Sequence, residues 1–190
     1  APEAKTVFLA GFAGLVAGAM SMSAGEYVSV SSQSDIEKAD IARETKSLEQ
    51  NPETEINELV QIYEERGLSA QTARTVALEL TEHDALGAHV RDELGLSEVL
   101  SARPLEAALA SGMTFSVAAA VPLVAAVLAP AGSIITVVLA VTVLALVVLG
   151  ALGAYAGGAP KGPAMLRVVV WGIFAMAVSA LLGRLFGVVV

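Results

Sequence analysis

The sequence predicts an all-α membrane protein: four membrane-crossing helices in this chain, with an acidic three-helix segment inserted between the first and the second. Three observations predict it. Of 190 residues, 55% are hydrophobic, more than a soluble domain of this size usually carries. Residues 31–103 hold 16 of the 19 acids and seven of the 11 bases, a net charge of −9. From Pro104 onward there is one acid, Glu106, and three bases, Lys161, Arg167 and Arg184. Finally, four apolar runs at 6–30, 105–129, 132–158 and 164–190 each reach the ~20 residues that a bilayer span needs at ~1.5 Å per residue. The expected organisation is a first span within 1–30, the acidic segment over 31–103, and three spans within 104–190.

The first run contains Gly11, Gly14, Gly18, Ser21 and Gly25. At i, i+3, i+7, i+10 and i+14 they form one small-residue stripe, which lets helices approach closely in lipid. Near its end stand Met22 and Glu26, four apart and therefore on one face, with Met20 nearly opposite. An ionisable residue at membrane depth is costly and is a functional candidate by default. A thioether beside a carboxylate suits a transition-metal cation. The alternative is that Met22 fills space and Glu26 is an ordinary interfacial acid.

In the acidic segment, Asp35 to Gln50 keeps helical spacing and can continue the first helix. Asn51-Pro52 supplies a cap and a first-position proline for a helix running to Arg66 and stopping at Gly67. Ser69 caps a third helix over about 70–94, with a break near Asp84 and an end at Gly95. Arg103-Pro104 opens the second span. The last three spans are joined by "PAGS" at 130–133 and "GGAPKGP" at 157–163, short enough to make neighbours antiparallel. Lys161 and Arg167 flank the second link, so the positive-inside rule places it, and with it residues 31–103, in the cytoplasm. Arg184 then snorkels to the opposite interface.

Several acids share helix faces: Glu37, Asp40 and Glu44; Glu55 and Glu58; and Glu79, Glu82, His89 and Glu93. His89 and Glu93, four apart, can chelate a cation. Glu53, Glu55 and Glu58 also suit a helix N-terminus, and Glu37 and Asp40, with Lys38 and Arg43 nearby, also suit a solvated face. Asp92 and Glu93 occupy a last turn, the wrong end of the macrodipole, at about 0.3–1 kcal/mol each. A bound cation would remove that conflict, which Arg91 offsets only in part. His83 has no matching partner and reads as a surface residue. Carboxylates with at most one imidazole suit Fe²⁺, Mn²⁺ or similar ions.

Other chemistries are poorly supported. Without cysteine there are no disulfides and no thiolate metal sites. There is no nucleophile–base pair, phosphate loop or Cys/His zinc spacing. Glu79-Leu80-Thr81-Glu82-His83 does not supply the Glu-x-x-His pair of a dinuclear carboxylate site. The chain therefore does not read as an enzyme.

The stretches "AGFAGLVAGAMSMSAGEYVSVSSQSDIEKADIARE", "NPETEINELVQIYEERGL" and "DELGLSE" together resemble the vacuolar iron transporter family, in its bacterial branch, over essentially the whole chain. The resemblance implies a homodimer with five membrane helices per subunit and a cytoplasmic three-helix metal-binding domain between the second and third. It implies exchange of Fe²⁺, and often Mn²⁺, for protons. The four spans here then match helices two to five, and a further helix is expected upstream of Ala1. Met22 falls on the family's pathway methionine. The plant-type acid eight residues earlier is Gly14 here, which leaves Glu26 as the replacement carboxylate. Glu44, Glu55, Glu58 and Glu93 match family metal ligands, His89 falls on a methionine ligand, and Ser47 on a further glutamate. Glu37, Asp40, Glu79 and Glu82 are additional candidates from helical geometry.

The expected function is proton-coupled transport of divalent iron out of the cytoplasm. Mn²⁺, Zn²⁺ and Co²⁺ are further candidate substrates. The alternative is a membrane-anchored metal buffer or sensor without transport. The expected setting is an integral position in a bacterial inner membrane, with lipid, a second copy, divalent metal and protons as partners and no nucleic acid.

Overall fold

The computed structural model describes residues 4–96, 102–130 and 132–186. Residues 97–101, near the expected end of the acidic segment, and 187–190, the expected end of the last span, lie outside them. Among the described residues there are six helices and no strand: α1 (Ala4–Gln50), α2 (Pro52–Glu65), α3 (Ala70–Asp92), α4 (Pro104–Leu128), α5 (Ile134–Ala156) and α6 (Lys161–Leu185). Helices α1, α4, α5 and α6 are long and apolar enough to cross a membrane. The chain divides into two compact units, Ala24–Ala108 and Ala1–Ser23 with Leu109–Val190.

In the Ala24–Ala108 unit, α1 runs unbroken to Gln50, as the continuous helical spacing implied. Pro52 stops it, because a proline disfavours helical backbone in the residue before it, and Asn51 leaves the helical region at φ −137°, ψ 53°. The expected side-chain cap from Asn51 does not form. Its carbonyl instead accepts from the Thr54 and Glu55 N–H groups, so proline and backbone together start α2. At the other end, Gly67 at φ +98° lets Leu68 N–H reach the Tyr63 carbonyl and Gly67 N–H the Glu64 carbonyl, a Schellman stop. Ser69 Oγ accepts from Thr72 N–H and caps α3.

The core between α2 and α3 is small: Leu59, Tyr63, Ala73, Ala77 and Ala88, with Ile56, Val60 and Val76 packed against it. Ala73 and Ala77 are four apart, so their methyls share one face and bring α3 close to α2. Near the middle of α3 the chain breaks helical form at Asp84 (φ −160°, ψ 86°). Asp84 Oδ1 accepts from Gly87 N–H at 3.0 Å, so Asp84 caps a second helical half. A Cβ on Gly87 would strike the Asp84 carboxylate, which explains glycine there. The kink re-aims the half that carries His89.

In the other unit several glycines allow close approach. A Cβ at Gly150 would come 2.8 Å from Met165 Cα on α6, and one at Gly172 would strike Leu146 on α5. On α1, Gly11 faces Leu123 and Gly18 faces the Phe115 ring of α4. Gly14 has open space, as does Gly25 in the Ala24–Ala108 unit, so of the stripe's glycines Gly11 and Gly18 are the ones that pack against α4. Large apolar side chains such as Phe12, Met20, Val117, Leu144 and Trp171 point outward, an exterior suited to lipid rather than water.

Candidate metal centre

Four side chains from three helices converge in the Ala24–Ala108 unit. Glu44 comes from the last two turns of α1, Glu55 from the first turn of α2, His89 from the second half of α3, and Glu93 from its C-terminal cap. Each can offer one ligand atom such that all four atoms lie within 4.8 Å of one another. The break at Asn51-Pro52 brings Glu55 back beside Glu44, and the Asp84 kink sets the direction from which His89 enters.

His89 is fully buried, and Glu44 and Glu55 are nearly so, at 7% and 4% exposure. His89 Nδ1 lies 2.7 Å from Glu93 Oε2, 3.1 Å from Glu44 Oε1 and 4.0 Å from Glu55 Oε2. A ring nitrogen carries at most one proton, and the hydrogen bond at Nδ1 is the shorter one, to Glu93. Glu44 Oε1 is therefore close enough for an ion pair by distance yet receives no hydrogen bond. It is buried without a partner among the described residues, as is His89 Nε2. Ser47 Oγ donates to Glu55 Oε1 at 2.5 Å.

Burial raises the Glu44 pKa above its usual value, and the Glu93 charge adds to this; His89 opposes it and Glu55 reinforces it. Partial desolvation of its carboxyl beside the group also raises that of Glu58, though the residue as a whole is exposed, and the charges of Glu55 and Glu93 add to this. Three carboxylates around one imidazole, with an orphaned oxygen pointing in, repel each other when ionised. A divalent cation would satisfy them, and the oxygen-rich donor set with one nitrogen suits Fe²⁺, Mn²⁺ or Co²⁺.

The other sequence candidates fall elsewhere. Glu58, one turn beyond Glu55, feels the charges of the group but is exposed and not among the four. Glu37 bonds Gln33 and Asp40 pairs with Arg43, both on α1. Glu79 and Glu82 are exposed on the first half of α3, and the Asp84 kink breaks the face they would have shared with His89 and Glu93. Met22 and Glu26 are exposed on α1, and His83 is a surface residue.

The resemblance put Ser47 on a ligand position; in the structure it is instead a hydrogen-bond partner of the site carboxylate Glu55, a contact formed once α2 folds back. One feature escaped the sequence reading. Asp92 does not need a cation at the helix end. Tyr63 Oη donates to Asp92 Oδ2 at 2.8 Å, Arg66 Nη1 to Oδ1 at 2.6 Å and Arg66 Nη2 to the Asp92 carbonyl at 3.1 Å. Arg91 adds two further bonds to Oδ2. Burial alone would raise the Asp92 pKa, but the hydrogen bonds from Arg66, Tyr63 and Arg91 outweigh it and hold the carboxyl below its usual range.

A family model described as the VIT family matches residues 1–184. The vacuolar iron transporter of Acanthamoeba castellanii is 41% identical over 180 residues, covering 94% of this chain and 69% of the relative. Vacuolar iron transporter homolog 1 of Arabidopsis thaliana is 36% identical over 186 residues, with 97% and 70% covered. Vacuolar iron transporter homolog 5 of Oryza sativa is 35% identical over 190 residues, with 97% and 67% covered.

Proposed function

The chain belongs to the VIT family, and from that premise we propose that it carries divalent iron across a membrane in exchange for protons. Family membership makes it a membrane transporter rather than an enzyme, and metal is its cargo. The observation that carries the finer reading is the buried convergence of Glu44, Glu55, His89 and Glu93 with an unsatisfied carboxylate oxygen. Such a group is costly when empty of cations and favourable when one is held.

In this reading Glu44, Glu55, His89 and Glu93 gather the ion, with Glu58 as an auxiliary carboxylate. Glu37, Asp40, Glu79 and Glu82 add negative potential without ligating. Met22 and Glu26, one turn apart on α1, serve the membrane path. Glu26 is the group that alternates between metal and proton, because coupling needs a carboxylate that releases one as it takes the other. Mn²⁺ shares the ligand preference and is a second cargo. The working form is a homodimer in a bacterial inner membrane, with residues 31–103 as a cytoplasmic metal-binding domain, residues 1–30 as the first span and the remaining spans within 104–190. The clustering of acids in 31–103 and the four apolar helices support this layout of acidic domain and spans.

The test is transport by the full chain in proteoliposomes under an imposed pH gradient. Fe²⁺ uptake with counter-moving protons is expected, lost in His89→Ala with Glu44→Gln. If Glu26→Gln carries Fe²⁺ with unchanged proton flux, Glu26 is not the coupling group. Metal binding with no flux would leave a membrane-anchored buffer or sensor as the reading.

A further inference from the structure

Glu93 lies just outside the helix proper. It is the cap of α3, at φ −98° and ψ −57°, in a last turn that Gly95 terminates at φ +66°. Terminal turns fray unless something holds them, and the like charges of Glu44 and Glu55 push Glu93 away. The neighbouring Asp92 is held firmly. Its carboxylate is 11% exposed and takes bonds from Tyr63, Arg66 and Arg91, while Arg66 also binds its carbonyl. The Arg66 guanidinium lies 5.5 Å from the Tyr63 ring centroid, so the two donors brace each other. Tyr63 is itself part of the α2–α3 core. None of the three side chains offers an atom to the four-ligand group.

We propose that Tyr63, Arg66 and Asp92 form a positioning clamp that ties the last turn of α3 to the last turn of α2, so holding Glu93 within ligand reach of His89, Glu44 and Glu55. The proposal rests on the metal-binding reading of that group. The clamp explains an acid at a helix C-terminus, where the macrodipole disfavours it: Asp92 is the handle by which α2 grips α3. It also makes the site pre-organised, since the repulsion among the carboxylates is resisted by bonds that do not involve the ion.

Mn²⁺ binding to the full chain in detergent tests this. Tyr63→Phe keeps the ring in the core and removes one donor; Arg66→Gln changes a half-exposed residue and removes the fork. Each is expected to weaken Mn²⁺ binding about tenfold or more, the range for partners that orient ligands, with Arg66→Lys recovering part of the loss. In a Glu93→Gln background the same substitutions are expected to have little further effect, because the ligand they position is already gone. A merely structural role would lower affinity equally in both backgrounds. That result, or wild-type Mn²⁺ affinity in both clamp variants, overturns the proposal. Absence of Mn²⁺ binding by the wild-type chain would overturn the metal reading itself, and the clamp's role with it.

Discussion

Glu44 Oε1 lies 3.1 Å from His89 Nδ1 and yet receives no hydrogen bond. The hydrogen bond at Nδ1 is made with Glu93. An oxygen so placed destabilises the fold unless a cation reaches it, and that separates binding from stability in a measurable way.

Glu44→Gln should therefore act in opposite directions on the two. Removing a buried charge and adding an amide donor beside Glu55 and Glu93 is expected to stabilise the metal-free chain by about 1 kcal/mol. Mn²⁺ affinity should fall at least tenfold, about 1.4 kcal/mol. Thermal melts in chelator and a Mn²⁺ titration read the two effects. Equal loss of both would mean that Glu44 is held by contacts other than electrostatic ones.

The raised pKa values of Glu44 and Glu58 fix a pH dependence. Well below 4.5 both groups are protonated folded or unfolded, and there is no penalty. As pH rises, the unfolded chain ionises first, so metal-free stability falls through the window from 4.5 to the raised folded values and then levels off. Asp92 works the other way, losing its contribution as pH drops below 3.8. Metal binding should strengthen over the same upper window, since protons and the ion compete for the same oxygens. Amide exchange in the 24–108 region, with chelator and with Mn²⁺, checks both slopes.

Ser47→Ala removes the hydroxyl that donates to Glu55 Oε1. A hydrogen bond to a buried charged group contributes roughly 1.5–3 kcal/mol, so the metal-free chain should lose about that much. Added Mn²⁺ should restore part of it by taking over the orphaned carboxylate. Paired melts with and without Mn²⁺ measure the recovery; a loss that metal leaves unchanged would place Ser47 outside the site's electrostatics.

Gly87→Ala places a methyl against the Asp84 carboxylate and disrupts the cap at the α3 kink. A lost N-cap costs about 0.5–2 kcal/mol. Since His89 follows two residues on, Mn²⁺ affinity should fall as well. In an Asp84→Ala background the nearest clash is gone, so the two costs should be less than additive.

Gly150→Leu should separate α5 from α6, because the added side chain meets Met165 backbone rather than a movable side-chain tip. Overpacking of this kind typically costs 1–3 kcal/mol or about that. Gly153→Leu, at a position with open space, is the matched control, and the detergent melting temperature of each compares them.

Features governed by short-range rules were legible in the sequence: four apolar runs, the stops at Gly67 and Gly95, the Ser69 cap, the break at Asp84 and the spacing of His89 with Glu93. What escaped notice depends on chain segments meeting in space. Tyr63 reaches Asp92 across 29 positions and Arg66 across 26, and no periodicity encodes such a meeting. Asn51 misled for a different reason: its type and place suit a cap, but Pro52 alone suffices to break the helix. The shared face of Glu79 with His89 assumed a straight α3, and the Asp84 kink removes it.

Among the described residues, the buried α2–α3 core is Leu59, Tyr63 and three alanines, flanked by a few partly buried aliphatic side chains. So modest a centre leaves the folding equilibrium sensitive to whatever binds the native form alone. An ion at a hundred times its Kd would add about 2.7 kcal/mol, a sizeable share of what a small domain possesses. The lifetime of this region against proteases should then lengthen with metal load, so that a starved transporter is also the one most readily degraded.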